Sequence, residues 1–268
     1  MTGKPLAAVT GASSGIGAAF ARKLAPQYDL LLIARSTDKL EALALELRAR
    51  GAVVSVLAAD LSDAAQLERV ADRLAAEPAL ALLVNNAGFG LRAPFWEADI
   101  EALDKMHRLH IGALVRLSHA ALRVFVPGNR GAIINMASVA AFAQRPGSIS
   151  YGATKTWVNA FTEGLYVDLR AAGSLVYVQS LCPGFTYSGF HDVLKLDRSR
   201  LAPPALWLTA EKVVDDSLRG MANGKLTVVP GWRYQLIVAA LRILPFRLQM
   251  LFTRPGSAAQ ARSARTST

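Results

Sequence analysis

Residues 6–10, Leu-Ala-Ala-Val-Thr, form a short apolar run that passes directly into Gly11-Ala12-Ser13-Ser14-Gly15-Ile16-Gly17 and then into a helical pattern over residues 16–24. A buried strand, a glycine-rich turn and a helix in immediate succession leave few foldings open. The glycines let the backbone approach a pyrophosphate, and the helix N-terminus offers free N–H groups and the positive end of its dipole. The spacing is Gly11-x-x-x-Gly15-x-Gly17, which differs from the usual dinucleotide fingerprint G-x-G-x-x-G. Standing alone, it would describe a tight turn without a ligand equally well.

The alternation continues along the chain. Strand-like runs at 29–34, 53–58, 79–84, 131–137, 175–181 and 226–229 are separated by helical patterns at 37–50, from Ser62 onward, at 99–126, around Tyr151 and at 208–221. Ser62 and Thr209 read as N-caps, Glu211 stands in the first turn after Thr209, and Ser148 or Ser150 starts the helix that carries Tyr151. Near-continuous apolar strands alternating with helices specify a parallel sheet covered on both faces. A chain of 268 residues fits one large domain of this kind.

Chemistry concentrates at Tyr151-Gly152-Ala153-Thr154-Lys155. On a helix Tyr151 and Lys155 stand at i and i+4, so both side chains reach one reacting group. A phenol of ordinary pKa is a poor proton donor or acceptor at neutral pH; a nearby ammonium favours the phenolate and brings it toward the working range. Ser138 comes after the apolar run 132–134, where a buried parallel strand ends and an open α/β sheet places its ligand.

Together, Thr10 to Gly17, Asn85-Asn86-Ala87-Gly88, Ser138, Tyr151 and Lys155 resemble the short-chain dehydrogenase/reductase family, over residues 6–231. The resemblance implies a doubly wound Rossmann fold with a seven-stranded parallel sheet, and hydride transfer between a nicotinamide dinucleotide and a ketone or secondary alcohol. By the same resemblance Ser138 hydrogen-bonds the substrate oxygen, Tyr151 exchanges the proton, and Lys155 lowers the tyrosine pKa and holds the nicotinamide ribose. Gly11, Ser13, Ser14, Gly15, Ile16 and Gly17 cradle the phosphates. Asp60 and Leu61 lie by the adenine, and Asn86, Ala87 and Gly88 by the ribose. Pro183 and Gly184 lie against the nicotinamide, whose carboxamide Thr186 and Ser188 bind. Asp60 also reads as the start of the turn before Ser62.

The end of the second strand selects the cofactor. An acidic residue there would bind a ribose 2′-OH, whereas an arginine pairs with a 2′-phosphate. This chain has Arg35-Ser36 and no acid before Asp38, so NADP is expected over NAD, although Ser14 stands where many NADP-preferring relatives carry a second basic residue. A second departure is His110, which replaces the asparagine that in relatives kinks a helix and relays protons to the lysine. Because a histidine titrates near neutrality, a relay of altered form is expected, with His110 counted among the catalytic residues. His107 and His110 have neither the spacing nor the companions of a metal site, so no metal is expected. The alternative to an enzyme is a nucleotide-sensing or scaffold protein with little catalysis, which His110 alone supports.

Residues 185–207 read as the substrate side and lid. Phe185, Tyr187, Phe190, Val193, Leu194, Leu196 and Leu201 suit a lipophilic substrate or simply pack the lid, and Pro203-Pro204 breaks the segment. The net charge of +10 suggests a polyanionic partner at first. Its distribution argues otherwise: no acidic residue comes after Asp216, while Lys225, Arg233, Arg242, Arg247, Arg254, Arg262 and Arg265 do. There is no basic helix interleaved with aromatics and no zinc-finger spacing, so nucleic acid is not an expected partner. Residues 232–254 read as an apolar and basic extension in two amphipathic pieces split by Pro245. They could lie on an anionic membrane, cover the substrate mouth or pack at a subunit contact. Residues 255–268, rich in Ala, Ser and Arg, are expected to be disordered.

The single cysteine, Cys182, excludes an internal disulfide framework, and no secretory leader opens the sequence. A cytoplasmic protein is expected, with membrane association left to the extension. The apolar faces of the helix bearing Tyr151 and of the one before it are surfaces on which relatives pair, so a homodimer or homotetramer is expected.

Overall fold

The computed structural model describes residues 3–188, 202–245 and 247–249. Phe190, Val193, Leu194, Leu196, Leu201 and the tail at 255–268 lie outside the described residues. In chain order the elements begin with β1 (Leu6–Thr10), α1 (Gly15–Leu24), β2 (Asp29–Ala34), α2 (Thr37–Arg48), β3 (Val54–Ala58), α3 (Ala64–Ala75) and β4 (Leu80–Asn85). Next come α4 (Ile100–His107), a π-helical turn (Arg108–Ala113), α5 (Leu114–Phe125), β5 (Ala132–Met136), α6 (Ile149–Ala171) and β6 (Tyr177–Leu181). The remaining elements are β7 (Thr186–Tyr187), β8 (Leu208–Thr209), α7 (Ala210–Ala222), β9 (Thr227–Val228) and α8 (Trp232–Ile243).

Seven strands form one parallel sheet in the order β3-β2-β1-β4-β5-β6-β9. This is the doubly wound architecture that the alternation predicts. Because successive strand side chains point to opposite faces, Ala7, Val9, Leu30 and Leu32 pack with α1, α2 and α7. Leu6, Ala8, Leu31 and Ile33 pack with α3, α5 and α6 on the other face. Both faces are covered, which is why the strands show no polar alternation. Among the described residues no helix is long and apolar enough to cross a membrane.

Four local expectations are corrected or refined. The cap of α3 is Asp63, whose carboxylate accepts from the Gln66 amide, because the Ser62 hydroxyl is already committed to Asp60 at 2.6 Å. Leu208 is not helical: with Thr209 it pairs with Thr186 and Tyr187 as a two-stranded parallel ribbon, and α7 begins at Ala210. Thr209 does cap α7, accepting from the Lys212 amide, and Glu211 stands in its first turn. The helix expected over 99–126 is divided at the π-helical turn, whose extra residue re-aims the side chains around His110.

The sheet order reverses between β1 and β4, and one hydroxyl ties the two strand ends together. Thr10 Oγ1 donates to the Val84 carbonyl at 3.2 Å and accepts the amides of Asn86 and Ala87 at 2.9 and 3.0 Å. Next to it, buried Asn85 donates to Ser118 and Asn135, and Asn135 donates to Thr162, linking β4 and β5 to α5 and α6. Thr10→Val keeps the shape and removes three hydrogen bonds; the Ala87 amide loses its acceptor, while the Asn86 amide keeps the Val84 carbonyl. Urea unfolding is expected to show a loss of about 1–3 kcal/mol, and an unchanged midpoint would contradict this role.

Candidate active site

The C-terminal ends of the strands open onto one cavity of about 540 Å³. The residues just beyond each strand line it: Gly11 and Ser13 to Ile16 after β1, Arg35 and Ser36 after β2, Asp60 and Leu61 after β3. Asn86, Ala87 and Gly88 come after β4, Ser138 after β5, and Pro183 and Gly184 after β6. Thr186, Ser188, His110, Tyr151 and Lys155 also line it. Of the site residues singled out in the sequence only Gly17 stands behind the wall. A Cβ on Gly17 would lie 2.3 Å from the Gly11 carbonyl oxygen and 2.6 Å from Asn86 Nδ2, so its place is structural.

At one end of the cavity the backbone turns through Gly11 (φ +65°) and Gly15 (φ +54°), left-handed conformations that favour glycine. Asn86 Nδ2 donates to the Thr10 and Gly11 carbonyls and fixes that turn from β4. Ser14 precedes α1 without using its side chain as a cap, so the helix presents uncapped N–H groups beside Ser13 and Ser14. Arg35 and Ser36 edge the same end. The Asp60 carboxylate accepts from the Ser62 amide and hydroxyl and lies 3.0 Å from Lys105 Nζ. Burial pushes its pKa up, but Ser62 and Lys105 outweigh that and hold it at about 2.

At the other end Ser138, Tyr151 and Lys155 converge. Ser138 starts a short 3₁₀ turn (Val139–Ala141). Its Oγ accepts from the Ala140 amide at 3.1 Å, sits 3.4 Å from the Pro183 carbonyl and is hydrogen-bonded to the Tyr151 hydroxyl. Lys155 is buried, its Nζ donates to the Met136 carbonyl at 2.7 Å and it stands 5.7 Å from the Tyr151 ring centroid. Burial lowers the Lys155 pKa to about 8. It pushes the Tyr151 phenol up to about 12, with the Ser138 bond pulling back.

The expectation that Lys155 holds Tyr151 below its ordinary value is therefore corrected for this pocket. The ammonium is turned to a backbone carbonyl, and the low-dielectric surroundings penalise the phenolate more than the charge favours it.

The His110 expectation is corrected as well. Its Nε2 accepts from the Phe89 amide at 3.2 Å, which leaves the proton on Nδ1, and Nδ1 donates to Thr154 Oγ1 at 2.9 Å. Thr154 in turn donates to the Tyr151 carbonyl at 2.8 Å. Burial, with the charges of Lys155 and His107, takes the His110 pKa well below its ordinary value, so the ring is neutral at neutral pH. Both nitrogens are committed to protein partners, and neither is hydrogen-bonded to Lys155. His110 joins the loop after β4 to the first turns of α6 and packs edge-on against the Tyr151 ring.

Sequence reasoning missed Tyr234. This residue of α8 is buried, and its hydroxyl accepts from the Phe185 amide at 2.9 Å and donates to the Leu206 carbonyl at 2.8 Å. Its ring lies so close to Gly184 that a Cβ there would stand 2.0 Å from Cζ. Tyr234 thus pins both ends of the segment read as the lid, while Ile237 and Leu241 from the same helix line the cavity. One of the three roles open to the extension, covering the mouth, falls to the inner face of α8. The spacing of Tyr234, Val238 and Leu241, at i, i+4 and i+7, was the available signal for an inward face.

Comparison with known proteins matches residues 5–198 to the family model described as short chain dehydrogenase. Human very-long-chain 3-oxoacyl-CoA reductase is 30% identical over 247 residues, covering 87% of this chain and 78% of that protein. A short-chain dehydrogenase from Sphingobium yanoikuyae, solved in complex with NADPH, is 34% identical with a TM-score of 0.80, covering 89% of this chain and 93% of that one. A short-chain dehydrogenase/reductase from Burkholderia phymatum, solved in complex with NAD, is 29% identical with a TM-score of 0.75, covering 90% and 92%.

The buried groups give two expected outcomes. Because the Lys155 pKa falls from 10.5 to about 8 on folding, the unfolded chain binds the extra proton between those values, and stability rises with pH across that window. Relative to Lys155→Met, the wild type is expected to gain stability from about pH 8 to about pH 10.5 in urea titrations; parallel curves would refute it. Tyr234→Phe removes both hydrogen bonds at the lid ends. A several-fold higher KM for the carbonyl substrate with nearly unchanged affinity for the nicotinamide dinucleotide is expected, and equal KM values would remove Tyr234 from this role.

Proposed function

The chain belongs to the short-chain dehydrogenase/reductase family and is a dehydrogenase or reductase acting between CH–OH and C=O groups; on that premise we propose that it reduces lipophilic ketones with NADPH, reversibly. The observation that carries the proposal is that one cavity holds a glycine turn with Arg35 and Ser36 at one end and Ser138, Tyr151 and Lys155 at the other.

The residues at the first end suit a dinucleotide. Gly11 and Gly15 carry the turn in left-handed conformations with no side chain, so the backbone itself can meet a pyrophosphate, and the start of α1 adds N–H donors. Arg35 and Ser36 would take a 2′-phosphate, and Asp60 and Leu61 would flank the adenine. Asn86, Ala87, Gly88 and Lys155 would hold the ribose, with Pro183, Gly184, Thr186 and Ser188 around the nicotinamide. The NADPH complex of the S. yanoikuyae relative supports this preference.

The bound dinucleotide supplies or accepts the hydride. Ser138 donates a hydrogen bond to the carbonyl oxygen and orients it. Tyr151, protonated at neutral pH, gives its proton to that oxygen as the alcohol forms. The Lys155 ammonium, within the same pocket, stabilises the phenolate left behind. His110 acts by position: through Thr154 and the edge of the tyrosine ring it fixes where the hydroxyl points. Leu91, Val139, Ala143, Leu206, Ile237 and Leu241 line the cavity, and their apolar character supports a lipophilic substrate, as does the very long acyl chain named for the human relative. The apolar faces of α5 and α6 support self-association as a homodimer or homotetramer.

The test is energy transfer from tryptophan to reduced nicotinamide while NADPH or NADH is added, followed by NADPH oxidation with a panel of lipophilic ketones. NADPH is expected to bind on the order of tenfold more tightly, and Arg35→Glu to abolish that margin. Tyr151→Phe is expected to keep the binding and to lose about 10²–10⁴-fold in turnover. Tighter NADH binding would overturn the reading of Arg35. Binding without turnover across the panel would favour a nucleotide sensor.

A further inference from the structure

The inner face of α8 closes the cavity, and its outer face is a second apolar surface. Trp232, Leu236 and Ile243 are 62%, 62% and 82% exposed, and Ala239 between them is also exposed. These residues stand at i, i+4, i+7 and i+11, one stripe of a helix turning about 100° per residue. Tyr234 and Val238, on the opposite side, are buried. Arg233 and Arg242 flank the stripe, and both are exposed. The Arg233 guanidinium lies 4.7 Å from the Trp232 ring, and that of Arg242 lies 5.0 Å from the ring of Phe142. Beyond Pro245, Arg247 and Leu248 continue the combination of exposed basic and apolar residues.

From this pattern we infer that the outer face of α8 docks on the surface of an anionic lipid bilayer. A helix with an apolar stripe flanked by arginines, and with a tryptophan at one end, matches an interfacial helix lying in the headgroup plane. Charge decides between lipid and a second copy of the chain. A two-fold contact places the same patch on both sides, which would bring Arg233, Arg242 and Arg247 against themselves. No acidic residue comes after Asp216 to pair with them. An anionic headgroup layer supplies the missing counter-charge and accepts the apolar stripe. The same helix lines the cavity with Ile237 and Leu241, so docking would set the mouth at the lipid boundary. Docking through α8 is independent of which substrate or cofactor is used.

The test is flotation of the full chain with vesicles of phosphatidylcholine, with or without about one third phosphatidylglycerol, at low and high salt. Wild type is expected to float with the anionic vesicles at low salt, on the order of tenfold more than with neutral ones, and its Trp232 emission to be quenched by brominated lipid. Leu236→Ser/Ile243→Ser and, separately, Arg233→Gln/Arg242→Gln are expected to reduce flotation roughly tenfold with an unchanged melting temperature. The serine and glutamine variants serve as independent checks on one another's folding. Wild type that stays in the soluble fraction, or serine and glutamine variants that float as well as it does, would overturn the inference. So would a dimer in analytical ultracentrifugation that Leu236→Ser/Ile243→Ser dissociates while no protein floats, since the face would then be a contact between copies. A failed NADPH reaction leaves these readings untouched.

Discussion

The cavity exists because the sheet reverses its winding between β1 and β4, and the Thr10 hydroxyl holds that seam. A parallel sheet wound in one direction would be roofed by a crossover on every strand end. Where the order turns back, the connections leave in opposite directions and a crevice opens above the strand ends. Three hydrogen bonds from one side chain keep the crevice's floor at a fixed width. The glycine turn is then held from below by Asn86, and the backbone at Gly11 and Gly17 comes as close as two main chains can. Everything that reaches the cavity from β2, β3, β5 and β6 inherits its position from the register with this central pair.

The electrostatics of the pocket arise from burial more than from pairing. Lys155 is an ammonium hydrogen-bonded to a backbone carbonyl, Tyr151 is a phenol in a low-dielectric wall, and His110 is an imidazole whose two nitrogens are both spoken for. Each is driven toward its neutral form. Such a site resists ionising until a charged or strongly polar ligand enters, so its chemistry is conditional on occupancy.

Much of this was legible in the sequence because the signals were local. Continuous apolar runs gave the seven strands, glycine spacing gave the turn, and the Tyr151-to-Lys155 interval gave a shared helix face. Illegible were features that depend on which distant groups meet. The π-helical turn at Arg108–Ala113 has no proline to announce it. Nothing in the sequence says that His110 faces Phe89 and Thr154 rather than Lys155. Asp63 wins the cap of α3 only because Ser62 is bound to Asp60. Tyr234 lies 49 residues beyond the Phe185 amide it holds, outside the stretch the family model matches.

The short β7–β8 ribbon has a consequence for how such a protein can change over generations. Thr186 pairs with Leu208 and Tyr187 with Thr209, and Tyr234 binds the chain just outside each strand. The two ends of the intervening stretch are therefore stapled to the scaffold whatever lies between them. Closing a loop whose ends are already juxtaposed depends only weakly on its length, about 0.6 kcal/mol per doubling. The scaffold holds those two ends independently of what joins them, while Ser138, just beyond β5, and Tyr151 and Lys155, on α6, keep their places. Selection can thus explore new substrates on one edge of the molecule without putting the reaction itself at risk.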